Sequence, residues 1–94
     1  TPLVFGRKDG KINTIAWCSG GAQSYIEHAI EVGADCFITG EVSEQIPAIA
    51  KENDIAFISA GHHATERYGI QAFCQHLSQQ FDLDYQYIDI DNIV

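Results

Sequence analysis

Methionine is absent from the 94 residues, proline occurs twice and tryptophan once. The three cysteines, Cys18, Cys36 and Cys74, form no CxxC pair, which excludes a zinc ribbon or a thioredoxin-type site. No run approaches the roughly 18 uninterrupted apolar residues that a bilayer span demands. Cations are scarce: five Lys and Arg stand against 13 Asp and Glu, for a formal charge of −8. That balance argues against a protein that tracks nucleic-acid phosphates, which needs a basic face. It suits a soluble protein or one that collects divalent cations. An odd cysteine count and no visible signal peptide point to a reducing cytoplasm. The missing methionine predicts a processed chain or a piece of a longer one. What is present is ordinary for a folded protein, with 46% hydrophobic residues and no long charge run. The length predicts one domain over residues 1–94, with one modest core.

Short apolar runs alternate with stretches of helical period. Pro2 and FGRKDG, Phe5 to Gly10, read as an irregular entry and a turn. NTIAWC (13–18), DCFIT (35–39) and IAFIS (55–59) read as buried strands, apolar at nearly every position as if covered on both faces. Ala22, Tyr25, Ile26, Ala29 and Ile30 have helical spacing, with Gly33 as the stop. A second helix is expected over about 43–53, with Ile46, Ile49 and Ala50 inward and Pro47 in its first turn. If Pro47 does not sit there, the helix starts late. A third runs over about 63–80, with Ile70, Phe73, Cys74, Leu77 and Phe81 on its inward stripe. YQYIDI (85–90) alternates and reads as a closing edge strand, possible as an antiparallel one. The expected fold is α/β, in the order β-α-β-α-β-α-β, with a mainly parallel or mixed sheet and helices packed against it.

In such sheets ligands bind beyond the carboxyl ends of the strands. Three turns land there, each with glycine and polar groups: Cys18 to Gly21, Gly40 to Glu44, and Ala60 to His63. His62 and Glu66 are four apart and share one helix face. An imidazole above a carboxylate suits zinc, manganese or iron. Equally, the two can bond each other or the backbone at a helix N-terminus. Gly20 and Gly21 lie in a turn that can hold an anion through its N–H groups, or that simply needs positive φ. It is neither a Walker A loop nor a dinucleotide fingerprint. Glu41 and Glu44 are candidate bases or partners of a metal-bound water. Against this, Ser43 as a helix cap with Glu44 as ordinary first-turn charge is the blander reading. Cys18, Cys36 and Cys74 read as small buried residues, while His28 and His76 read as surface residues.

The segments IAWCSGGAQ, GADCFITGEVSEQ, AGHHATERYGI and YIDIDNIV occur in order and together resemble the YbgI-like, or NIF-three-like, family, whose members are called GTP cyclohydrolase type 2 homologues. The likeness runs from about Ile12 to Val94. It implies an α/β protein with two divalent metal ions per full-length subunit, assembled as a homo-oligomeric, hexameric ring around a cavity. Its GH-x-x-x-E motif implies His62 and Glu66 as metal ligands. Many relatives place a histidine shortly after the TGE or TGD turn, where this chain has Glu44. The resemblance places the remaining ligands, a histidine pair and an aspartate, in the family's N-terminal half, so that this chain matches the C-terminal part of a longer metal-binding protein. Two functions compete. One is a metal-dependent, dinuclear-metal hydrolase acting on a small anionic substrate. The other is a non-catalytic oligomeric scaffold or protein-interaction module.

Overall fold

The protein's structure, a computed structural model, describes residues 1–92; Ile93 and Val94, the end of the YIDIDNIV segment, lie outside the described residues. In chain order the elements are β1 (Leu3–Gly6), β2 (Ile15–Cys18), a 3-10 turn (Gln23–Tyr25), α1 (Ile26–Glu31), β3 (Cys36–Thr39), α2 (Ile46–Glu52), β4 (Ala56–Ser59) and α3 (His62–Phe81). The sheet order is β1-β4-β3-β2, with β2, β3 and β4 parallel and β1 antiparallel to β4. The α/β class and the mixed sheet stand as expected.

The register places Phe5, Phe57, Phe37 and Ala16 in one row across all four strands. Phe57 lies between the other two rings, with centroids 6.4 Å from Phe5 and 5.9 Å from Phe37. Ile26 and Ala29 of α1 and Ile46 and Ala50 of α2 join this row to form the core. Full burial of such a side chain contributes about 1.5–3 kcal/mol. Both short helices end in the same way. Gly33 (φ +76°) follows α1 and Asp54 (φ +51°) follows α2. The N–H groups of Ala34 and Ile55 donate back to the carbonyls of Ala29 and Ala50. These are Schellman closures, and they turn the chain straight into β3 and β4 while burying Ala34 and Ile55.

Several expectations need correction. Leu3–Gly6 is a strand, not an irregular entry, so the order is β-β-α-β-α-β-α and the antiparallel edge lies at the start of the described chain. Residues 85–90 form no strand among the described residues; the segment runs extended with Tyr85, Ile88 and Ile90 exposed. It doubles back along α3, and His63 Nε2 meets Asp89 Oδ1 at 2.8 Å. The lengths agree: α3 is ~30 Å long at about 1.5 Å per residue, and eight extended residues span ~26 Å at about 3.3 Å each.

β2 is apolar yet lies at the other edge, with Trp17 74% exposed and Cys18 exposed rather than buried. Apolar composition marks a surface fit for covering; it does not supply the cover. The stripe on α3 teaches the same point. It exists, but no residue of α3 is buried, and Ile70, Phe73 and Phe81 are exposed. α2 begins at Ile46, with Pro47 in its first turn, and Ser43 offers no side-chain cap. No described helix is long and apolar enough to cross a membrane.

Candidate metal half-site

The parallel ladder continues past the strand ends. Gly40 N–H donates to Gly20 O (2.8 Å) and Gly61 N–H donates to Gly40 O (3.0 Å). This seam draws the three expected turns together. It tolerates no side chain at Gly40, where a Cβ would stand 2.3 Å from Gly20 O and 2.7 Å from His62 Cα. Thr39, fully buried, donates its hydroxyl to Gly20 O (3.2 Å) and accepts from Ala22 N–H (3.3 Å). Thr65 accepts from Gly20 N–H (3.0 Å) and donates to Gly61 O (2.8 Å).

Gly61 adopts φ +101° and releases the chain into α3, so that His62 opens the helix above the seam. Its ring lies between two carboxylates. Nδ1 meets Glu41 Oε1 at 2.5 Å and Nε2 meets Glu66 Oε2 at 3.1 Å. The hydrogen bond to Glu41 is the main cause that raises the imidazole pKa above its usual value; partial desolvation opposes it and the charge of Glu66 adds to it. Both ring nitrogens face acceptors, so the metal-free ring is suited to carry both protons. With Glu41 holding Nδ1–H, the Nε2 lone pair is oriented toward the same side as Glu66. A carboxylate–histidine arrangement of this kind fixes the tautomer of a metal ligand. The donor set therefore fits a borderline divalent cation through Nε2 and the Glu66 carboxylate. It does not complete a site. Among the described residues no three His, Cys, Asp or Glu side chains form a group able to hold a metal ion, and Glu41 and Glu66 take opposite edges of the ring.

The sequence-level candidates separate here. His62, Glu66 and Glu41 come together. Glu44 stays exposed in the turn before α2, and its side chain makes no hydrogen bond or ion pair among the described residues. Gly20 and Gly21 lie against carboxylates: a Cβ on Gly20 would meet Glu66 Oε1 at 2.3 Å, and one on Gly21 would meet the Glu41 carboxyl at 3.2 Å. The N–H of Gly20 is already given to Thr65, so close approach, more than anion binding, accounts for the glycines. His63 turns away to Asp89, and Arg67 stacks on Tyr68 at 5.2 Å. A cleft of about 460 Å³ adjoins the site, lined by Leu3, Glu41, Val42, Ser59, Ala64 and Asn92 among others. Sequence reasoning missed Thr39 and Thr65. For Thr39 the available signal was a hydroxyl at the end of a buried strand, which must find a partner; Thr65, in the first turn of α3, gives no such signal.

The histidine and carboxylates thus lie at the carboxyl end of a glycine-seamed α/β sheet, the end at which open sheets of this class bind ligands. The profile of the Duf34/NIF3 (NGG1p interacting factor 3) family matches residues 1–93, and the chain belongs to that family. A GTP cyclohydrolase 1 type 2 homolog of Allochromatium vinosum is 49% identical over 90 residues, covering 96% of this chain and 35% of that protein. The one from Escherichia coli K12 is 52% identical over 81 residues, covering 86% and 33%. The solved structure of protein ybgI superposes with a TM-score of 0.93 at 48% identity, over 99% of this chain and 38% of that one. The chain thus spans about 35% of the length of such relatives.

Proposed function

We propose that this chain carries one half of a divalent-metal site in a metal-dependent hydrolase. His62 binds through Nε2 and Glu66 through its carboxylate, and Glu41 holds Nδ1–H and so sets the ring. The single observation that carries the reading is the His62 ring held between Glu41 (2.5 Å) and Glu66 (3.1 Å) at the carboxyl end of the parallel strands. Zinc, manganese and iron fit this donor set, and two ions per full-length subunit is the family expectation. A cation bound there supplies Lewis acidity toward a phosphoryl or carbonyl oxygen. Glu41 also lines the cleft, which supports a second role for it as a proton acceptor on that side. The ligands that complete the site come from outside these residues, in a chain whose relatives are nearly three times as long. A soluble, cytoplasmic, ring-shaped homo-oligomer is part of the proposal. The name of the relatives, GTP cyclohydrolase 1 type 2 homolog, supports a hydrolytic reaction on a small anionic substrate.

Isothermal titration of the natural full-length protein with zinc or manganese tests this. His62→Ala and Glu66→Ala should each weaken binding by at least tenfold; unchanged affinity in both sinks the proposal. A second reading, a non-catalytic scaffold, is supported by the exposed apolar residues Trp17, Phe73 and Phe81. Metal-dependent turnover on a panel of phosphoesters and nucleotides, lost in the two variants, favours the hydrolase. Intact assembly without turnover favours the scaffold.

A further inference from the structure

Glu66 is half-exposed, with three rotatable bonds and, among the described residues, no hydrogen-bond or ion-pair partner but His62. Something must hold its carboxylate in one place, and the structure contains a seat for it. Glu66 Oε1 rests against the bare Cα of Gly20, where a Cβ would stand 2.3 Å away, and His62 Nε2 borders the same spot at 3.3 Å. The position of Gly20 therefore sets the position of the carboxylate. Three hydrogen bonds hold Gly20. Two reach its carbonyl from β3 and its turn, from Gly40 N–H (2.8 Å) and Thr39 Oγ1 (3.2 Å). The third goes the other way, from Gly20 N–H to Thr65 Oγ1 (3.0 Å).

Thr65 differs from the other two because it sits on α3, the helix that carries His62 and Glu66. Its hydroxyl accepts from Gly20 and donates to Gly61 O (2.8 Å), with His62 O at 3.1 Å as the alternative acceptor. One oxygen thus joins the glycine turn after β2 to the first turn of α3. Among the described residues, it is the side-chain hydrogen bond that links these two parts. Without it the hydrogen bonds among the described residues connect the turn to the helix only by way of Gly40, after β3.

We infer that Thr65 is a positioning residue that fixes the Glu66 carboxylate against Gly20 and in line with His62 Nε2. The inference rests on the proposed metal half-site for its function, but its geometry does not require a metal. The test uses the natural full-length protein and two substitutions. Thr65→Val keeps the shape and removes both hydrogen bonds; Thr65→Ser keeps the hydroxyl. Two readouts are taken: the ring nitrogen NMR resonances of His62 in the metal-free protein, and the dissociation constant for zinc or manganese. Thr65→Val should shift the Nε2 resonance more than the Nδ1 resonance, since Glu41 stays in place. It should also weaken metal binding by about 10–100-fold, and Thr65→Ser should restore both. Unchanged His62 resonances in a folded Thr65→Val protein overturn the inference whatever the metal does. So does a Thr65→Ser protein that behaves like Thr65→Val. If the resonances shift as expected while His62→Ala leaves metal affinity unchanged, the positioning role stands and the proposed function falls.

Discussion

The first turn of α3 and its remaining turns belong to one helix and have opposite fates. At His62 to Glu66 the side chains of His62, Thr65 and Glu66 each have a polar partner, and the turns after β2, β3 and β4 meet within hydrogen-bond distance. From Ile70 to Phe81 the same helix presents an apolar stripe that the described chain covers only in part: Cys74 and Leu77 are half-buried, while Phe73 is 57% and Phe81 60% exposed. Local polar geometry fixes the site end, whereas the far end of the helix is left largely open by the described residues. The difference also divides the energetics, because stability within this chain lies between the sheet and the two short helices.

The largest expected effect breaks the comparison directly. Phe57→Ala empties the centre of the ring row and should cost about 3–5 kcal/mol. Phe73→Ala should cost less than about 0.5 kcal/mol in the 94-residue chain, as an exposed substitution. Urea midpoints of the two variants measure the contrast; similar losses would mean that the stripe is already covered.

Next comes the seam. Gly40→Ala forces a Cβ against two backbone atoms, Gly20 O and His62 Cα, and should cost about 1–3 kcal/mol. It should also disturb the His62–Glu41 contact, visible in the His62 ring resonances, whereas Gly33→Ala leaves that contact alone because no atom lies within 4 Å of its Cβ.

A smaller effect sharpens the picture at the opposite end of the sheet. Asp35 accepts from the N–H groups of Asn13 (2.8 Å) and Thr14 (3.0 Å), and these bonds, with Arg7 adding less, hold its carboxyl below the ordinary value of 3.8. A lowered folded-state pKa stabilises the fold above the unfolded value and loses that contribution as pH falls through the folded one. Thermal melts from pH 6 downward, about the usual carboxylate range and below, should show a fall that is shallower in Asp35→Asn than in the parent. Parallel curves would remove Asp35 from the account.

Much of this arrangement is legible in the sequence, for reasons that particular residues make clear. The strands 15–18, 36–39 and 56–59 announce themselves because each is a short apolar run ending near a glycine that the seam requires. That His62 and Glu66 share one face and meet follows from their helical spacing. β1 does not, since four residues ending in a positive-φ glycine have no pattern of their own, and its strand character comes from pairing with β4. Residues 85–90 show the reverse, an alternating pattern with no sheet edge beside it among the described residues. The choice between Glu41 and Glu44 was equally out of reach. They are three apart in an irregular turn, and only the tertiary approach of α3 puts His62 beside Glu41.

The central claim is that His62 and Glu66 form a ligand pair. Anomalous diffraction at the zinc or manganese edge, from crystals of the natural full-length protein grown with that metal, tests it most directly. The account predicts a peak about 2.0–2.2 Å from both His62 Nε2 and a Glu66 carboxylate oxygen, with Glu41 still on Nδ1. A bound metal whose peak lies away from both residues would contradict it.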